Sequence, residues 1–256
     1  MLSKEKIIDE LKNLGVNPPR IIFYESTDST NTRAKEWAKQ NPDNHSPIVF
    51  IANRQTAGRG RRGRSFVSEG GAGIYISILT YPEESGADAT ATTARAAVTL
   101  AKATESLSDC DIKIKWVNDL YLGGKKLAGI LTEGEMENDG KIAYQVVGMG
   151  INVYINAISD EISDIATSIE GETGRGTDRS KLAAAIIKYQ LHYKGDFYTE
   201  YKSRSFIIGK RITVMKLSES YEAEVLDINP DFSLKLKTKN GIENLFTGEV
   251  SLKLNA

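Results

Sequence analysis

Cysteine occurs once in the 256 residues, at Cys110, which excludes an internal disulfide framework and fits a reducing compartment. Histidine occurs only at His45 and His192, neither with a His or Cys neighbour at metal-ligand spacing, so no metal site built from protein alone is expected. No apolar run is long enough to span a bilayer, and the opening MLSKEKIIDELKNLG is charged and amphipathic, unlike a signal peptide. Excess charge is also missing: 33 Lys+Arg stand against 34 Asp+Glu, which argues against broad coating of a nucleic acid. No internal repeat or low-complexity run is visible. These absences leave a soluble cytoplasmic protein, long enough for a good core in one large domain plus a small one.

What is present reads as ordered elements. Ile7, Ile8, Leu11 and Leu14 keep helical spacing until Asn17-Pro18-Pro19 stops them. IIFY (21–24) predicts a strand, and STDSTNTRAKEWAKQ offers several caps before a helix carrying Ala34, Trp37 and Ala38. PIVFIANR (47–54) and GIYISILTY (73–81) are β-branched and aromatic and predict strands. ADATATTARAAVTLAKATESL predicts an alanine-rich helix. Three further strands are expected in IKIKWV, KKLAGILTE and IAYQVVGMGINV, the first two joined through NDLYLGG and the last two through GEMENDG. DRSKLAAAIIKYQLHYKGDFYTEYKSR reads as one long helix closing a main domain of residues 1–205. From Phe206 the short alternating segments RITVMKL, YEAEVLDI, FSLKLKT and VSLKL, parted by NPD and KNG, signal a small antiparallel barrel over 206–256. The expected architecture is α+β or α/β with a mainly antiparallel sheet and a C-terminal β module.

RQTAGRGRRGRSF, Arg54 to Phe66, packs five arginines and three glycines into thirteen residues. Its GRGRRG (58–63) satisfies G-x-G-x-x-G, but the dinucleotide fingerprint needs a helix next, and RSFVSEGGAG is a poor one. No P-loop pattern occurs anywhere. Three readings remain: a solvated basic loop, an arginine–glycine element that binds RNA, or a loop that closes over a phosphate-bearing small ligand. Mutual repulsion and glycine entropy keep such a segment from ordering by itself, and an anion would supply the missing counter-charge. Its place between two apolar strands favours the third reading.

KIKWVNDLYLGGKKLAGILTEG (113–134) carries the next signals. Asn118-Asp119 falls where the chain must turn, and turn chemistry alone accounts for such a pair. Side chains alternate along a strand, so one of Lys125 and Lys126 faces a site. Gly129 inside an apolar strand marks a close approach to the backbone, and GMGINV (148–153) adds glycines and the polar Asn152.

DSTN (28–31), QTAGRGRRGR (55–64), KWVNDL (115–120), KKLAGIL (125–131) and GMGINV occur in the order and spacing of biotin protein ligases, which this chain resembles most strongly over residues 21–153; the terminal FTGEVSL (246–252) resembles the family's C-terminal module. The resemblance implies an α+β fold, with a mixed-sheet catalytic domain like that of class II aminoacyl-tRNA synthetases and an SH3-like C-terminal barrel. It implies biotin and ATP as substrates with Mg²⁺, synthesis of biotinyl-5′-AMP, and transfer of biotin to a lysine of a biotin carboxyl carrier domain. Site residues carry over as follows: Arg61, Lys126 and Asp119 for catalysis, the last as acceptor of the lysine proton or as a turn residue. Ser29, Thr30, Asn31, Gln55, Arg59, Gly60, Arg61, Lys126 and Gly129 are implied for biotin, the first residues competing with a helix-capping role. For ATP the set is Arg61, Arg64, Phe66, Asn118, Lys126 and Asn152, with Glu249 ordering that site and Arg62 and Arg64 holding a closed loop. Val117 replaces the family's proline and Phe66 its tryptophan; Val117 is expected to keep extended geometry and Phe66 to wall the pocket. Fewer than thirty residues precede DSTN, so no DNA-binding domain is expected. The resemblance implies no membrane partner and is compatible with a homodimer. The rivals are a lipoate or octanoate ligase of the same fold and a nucleic-acid-binding protein using the arginine–glycine segment.

Overall fold

The computed structural model describes residues 1–64, 66, 70–82, 89–137, 141–216 and 219–252, with the side chain of Arg62 outside that description. Helix α1 (Lys4–Asn13) starts on Ser3, whose Oγ accepts from Lys6 N at 3.3 Å. There follow β1 (Arg20–Tyr24), α2 (Thr30–Gln40), β2 (Ile48–Ala52), β3 (Gly73–Thr80) and α3 (Ala89–Glu105). Next come β4 (Lys113–Lys115), β5 (Asp119–Leu122), β6 (Lys125–Met136), β7 (Ile142–Asn152), α4 (Ile169–Thr173), α5 (Arg179–His192) and α6 (Phe197–Arg204). The last elements are β8 (Arg211–Met215), β9 (Ser220–Ile228), β10 (Leu234–Thr238), β11 (Gly241–Leu245) and β12 (Glu249–Leu252).

Seven strands form one sheet in the order β1-β2-β3-β7-β6-β5-β4, parallel only between β1 and β2. β2 is buried along its whole length because both sheet faces are covered. Val49 and Ile51 point into the large core with α1, α3 and α5, whereas Ile48 and Phe50 point to the opposite face under Ala34 and Ala38 of α2. α3 and α5 pack closely because their shared faces are small: Ala94, Ala97, Ala101, Ala183 and Ala184 are fully buried. Five antiparallel strands form the second sheet, β11-β10-β9-β8-β12. The fold is α+β.

Four elements differ from expectation. IKIKWV is a strand only to Lys115; Trp116–Asn118 is a turn, and the peptide between Trp116 and Val117 is cis. That turn is fixed from two sides, by Trp116 Nε1 donating to Phe232 O at 2.7 Å and Tyr201 Oη donating to Val117 O at 3.2 Å. NDLYLGG is not a plain connection but contains β5, and Gly123 and Gly124, at φ 58° and 81°, make the two-residue hairpin turn into β6. The expected long helix is two, broken at Tyr193–Asp196, where Asp196 caps α6 by accepting from Thr199 N at 3.1 Å. β11 escapes the alternation test because four of its five residues are not buried. The expected VSLKL strand is described to Leu252, and Lys253 and Leu254 lie outside the described residues.

Candidate active site

A cleft with about 970 Å³ of open space lies where the start of α2, the arginine–glycine segment, the Trp116–Asn118 turn, β5, β6, β7 and β12 converge. Ser29, Thr30, Asn31, Gln55, Arg59, Gly60, Arg61, Arg64, Phe66, Asn118, Asp119, Lys126 and Gly129 all line it. Asn152 does not: it is buried beside the cleft and donates to Thr167 O at 3.0 Å. The lysine pair divides as strand alternation requires, with Lys125 Nζ turned away to the carbonyl of Ser163 at 2.7 Å.

One end of the cleft is lined mostly by neutral polar groups. Ser29 has the extended backbone of an N-cap, yet its side chain makes no capping bond. Gln55 Oε1 accepts from Thr30 N at 2.8 Å and from Thr30 Oγ1 at 3.1 Å. Ser77 Oγ, wholly buried on β3, lies 2.7 Å from Thr30 Oγ1 and 2.6 Å from Asn31 Oδ1. Asn31 Nδ2 donates to Leu131 O at 3.2 Å and to Glu133 Oε2 at 2.8 Å, which fixes the amide's orientation. Burial alone would raise the Glu133 pKa, but hydrogen bonds from Lys35 and Asn31 hold it below the usual carboxylate range. Arg59 reaches the same carboxylate at 3.4 Å. The adjoining wall is apolar, made by Ile130, Leu131 and Met149.

The other end is charged. Lys126 Nζ sits 2.8 Å from Asp119 Oδ1, and Asn118 Nδ2 donates to the same oxygen at 3.1 Å and to Ile130 O at 3.1 Å. Arg61 donates from Nη1 to Asn118 Oδ1 at 3.1 Å and from Nη2 to Gly248 O at 2.8 Å. Arg64 Nη1 pairs with Glu249 Oε1 of β12 at 2.5 Å. Burial lowers the pKa of Lys115 from its ordinary value, so the cleft gathers cations at a half-desolvated point. Phe66 lies against Gly129 and Gly150; a Cβ built on Gly150 would stand 2.6 Å from its ring, so that glycine admits the aromatic wall.

The arginine–glycine segment is folded by the protein's own groups: Phe66 N donates to Gly58 O at 2.9 Å and Gly60 N to Arg64 O at 2.7 Å. Glu133, Glu249, Asn118 and the Gly248 carbonyl oppose its arginines. Arg62, expected to hold the segment, has its side chain outside the described residues. Ser77, Lys115, Trp116 and Glu133 went unnoticed in the sequence, although Ser77 is a lone hydroxyl within the apolar GIYISILT and Lys115 opens KWVND. Among the described residues no group of three or more His, Cys, Asp or Glu is arranged to hold a metal ion, and no helix is long and apolar enough to cross a membrane.

Such a cleft offers neutral hydrogen-bonding groups at one end, an apolar wall and cationic groups at the other. Residues 23–152 match the Biotin/lipoate A/B protein ligase family. The bifunctional ligase/repressor BirA of Bacillus subtilis is 30% identical over 98% of this chain and 79% of its own length. The biotin–[acetyl-CoA-carboxylase] ligase of Mycobacterium tuberculosis is 26% identical over 83% of this chain and 81% of its own. The structure of the Aquifex aeolicus biotin protein ligase in complex with biotin and ATP superposes with a TM-score of 0.73 at 28% identity, covering 92% of this chain and 99% of that one. The chain belongs to the biotin/lipoate protein ligase family.

Proposed function

We propose that the protein is an ATP-dependent biotin protein ligase that forms biotinyl-5′-AMP and passes biotin to a lysine of a biotin carboxyl carrier domain. The observation that carries this reading is the single cleft joining the Thr30–Gln55–Ser77–Asn31 network to the Arg61–Asn118–Asp119–Lys126 cluster. Biotin's ureido head pairs with the neutral network, its ring and tail lie along Ile130 and Met149, and its carboxylate ends near Lys126. ATP places its α-phosphate beside that carboxylate and its adenine toward Phe66.

Adenylation drives one anion against another. A carboxylate oxygen of biotin attacks the α-phosphorus, a new P–O bond forms, the bond to the β-phosphate oxygen breaks, and pyrophosphate departs. Arg61 and Lys126 stabilise the charge that grows on the transferring phosphate, and Asp119 keeps the Lys126 ammonium in place. Asn118 and Asp119 present oxygen, the donor type Mg²⁺ prefers, and with phosphate oxygens they would hold that ion, which would neutralise charge on the leaving pyrophosphate. In the second half the acceptor amine attacks the acyl carbon, AMP leaves, and Asp119 takes the amine proton. The folded arginine segment excludes water from the mixed anhydride meanwhile.

On this reading residues 1–205 form the catalytic domain and 206–256 an SH3-like module, whose Glu249 and Val250 line the cleft. The reading carries with it a cytoplasmic location and no DNA partner. Size exclusion with and without biotinyl-AMP decides between monomer and homodimer. Incubation with biotin, MgATP and a carrier domain should add one biotinyl group by intact mass, and lipoate should add nothing. Modification by lipoate, or failure to form any adenylate, overturns the reading.

A further inference from the structure

Arg179 carries no part of the chemistry above, yet its side chain is among the most buried charges in the molecule, at 6% exposure. It is the first residue of α5, where a cation opposes the helix dipole, and the preceding Asp178 spends its carboxylate capping Ser180 N at 2.8 Å and Lys181 N at 3.1 Å. The acceptors it meets are neutral: its Nη1 donates to Asn53 Oδ1 and to Gly73 O, both at 3.0 Å. Burying a cation against neutral acceptors is unfavourable unless the geometry is good, and burial accordingly lowers its pKa.

The two acceptors are far apart in function. Asn53 is the first residue after β2, and Gly73 is the first residue of β3. Between them runs the whole excursion that carries Arg59, Arg61, Arg64 and Phe66. β2 and β3 pair only as far as Ala52 and Tyr75, so the sheet itself does not tie Asn53 to Gly73. Asn53 is further fixed through its backbone N–H, which donates to Tyr24 O at 2.9 Å.

We propose that Arg179 is a positioning residue for adenylation: one guanidinium nitrogen fastens both stems of the arginine–glycine excursion, so that Arg61 and Phe66 enter the cleft from fixed anchor points. The functional half of this proposal rests on the ligase reading. The anchoring half does not.

The test uses Asn53→Ala, which deletes one acceptor at the partly exposed end without disturbing the core, and Arg179→Met, which removes the donor while filling the space. Ligand-free protein is digested briefly with trypsin, cuts after Arg59, Arg61 and Arg64 are counted by mass, and single-turnover adenylation is timed with biotin and MgATP. Loss of a charged hydrogen bond should raise cutting in 59–64 about ten-fold in either variant and slow adenylation by a similar factor. For Asn53→Ala the unfolding temperature should stay within about 3 °C of the wild type. Arg179→Lys, which keeps a cationic donor, should recover part of both. If Asn53→Ala leaves cutting and adenylation unchanged, or Arg179→Met only lowers the unfolding temperature, Arg179 merely packs α5 onto the sheet and the proposal fails. A wild-type protein that makes no adenylate would sink the ligase reading alone, because the cutting assay still reports on the anchor.

Discussion

Gly148→Ala probes the mostly neutral end of the cleft most directly. A Cβ on Gly148 would strike the Asn31 amide, with Cγ at 2.7 Å and Nδ2 at 2.9 Å and the oxygen closer still. The strand backbone there is ordinary, so the whole penalty falls on Asn31. That side chain is 5% exposed and held by Leu131 O, Glu133 and Ser77, so it cannot swing aside cheaply. Losing about two of these bonds, one of them to a carboxylate, costs about 2–3 kcal/mol. For a chain of this size that lowers the unfolding temperature by roughly 4–10 °C. On the proposed reading biotin also loses the amide that addresses its head, about 1.4 kcal/mol and so about ten-fold in Kd by calorimetry. In an Asn31→Ala background the new methyl meets space instead of an amide, and the same substitution should cost less than about 0.5 kcal/mol. Equal costs in both backgrounds, or an unchanged biotin Kd, would refute the claim that Gly148 is small to make room for Asn31.

Other outcomes follow from the charged end and the core. Lys126→Ala should slow adenylation at least ~10²-fold in single-turnover experiments while unfolding moves little, because the ammonium is one-third exposed and acts on growing charge. Arg64→Ala and Glu249→Gln should each release adenylate no more than about five-fold faster, since Arg64 is 67% exposed and such a pair is worth under ~1 kcal/mol; the double variant should be no leakier than either single one, and salt should erase the difference. Glu200 is held below its ordinary pKa by the hydrogen bond from Lys102, against the effect of burial. A lowered carboxylate contributes stability that is present above its unfolded value near 4.5 and is lost as pH falls through the folded value, so Glu200→Gln should flatten the fall of stability between about pH 5 and 3 in urea titrations.

The parts of the fold with strong periodicity were legible in the sequence. β2, β3, β6 and β7 sit where apolar β-branched runs placed them, and α3 where alanines cluster. The misses share a cause: long-range contacts outvoted local pattern. Trp116 looks like the next apolar residue of a strand, but its indole is claimed by Phe232, 116 positions away. The helix break before α6 depends on Gly195 and the Asp196 cap within an otherwise helical run. In the cleft, residues inside recognisable boxes were found, while Ser77 and Glu133 were not, because each matters only through a partner brought near by the sheet. Arg179 was invisible for the same reason: nothing local says that a helix-opening arginine reaches across to two strand ends.

The seam between the arginine segment and β12 also sets a tempo. Two hydrogen bonds from Arg61, one of them to Gly248 just before β12, and one exposed ion pair from Arg64 are among the polar contacts that span it. On the ligase reading, contacts of this kind part without unfolding the core, and reactants pass there while the mixed anhydride stays sheltered between openings.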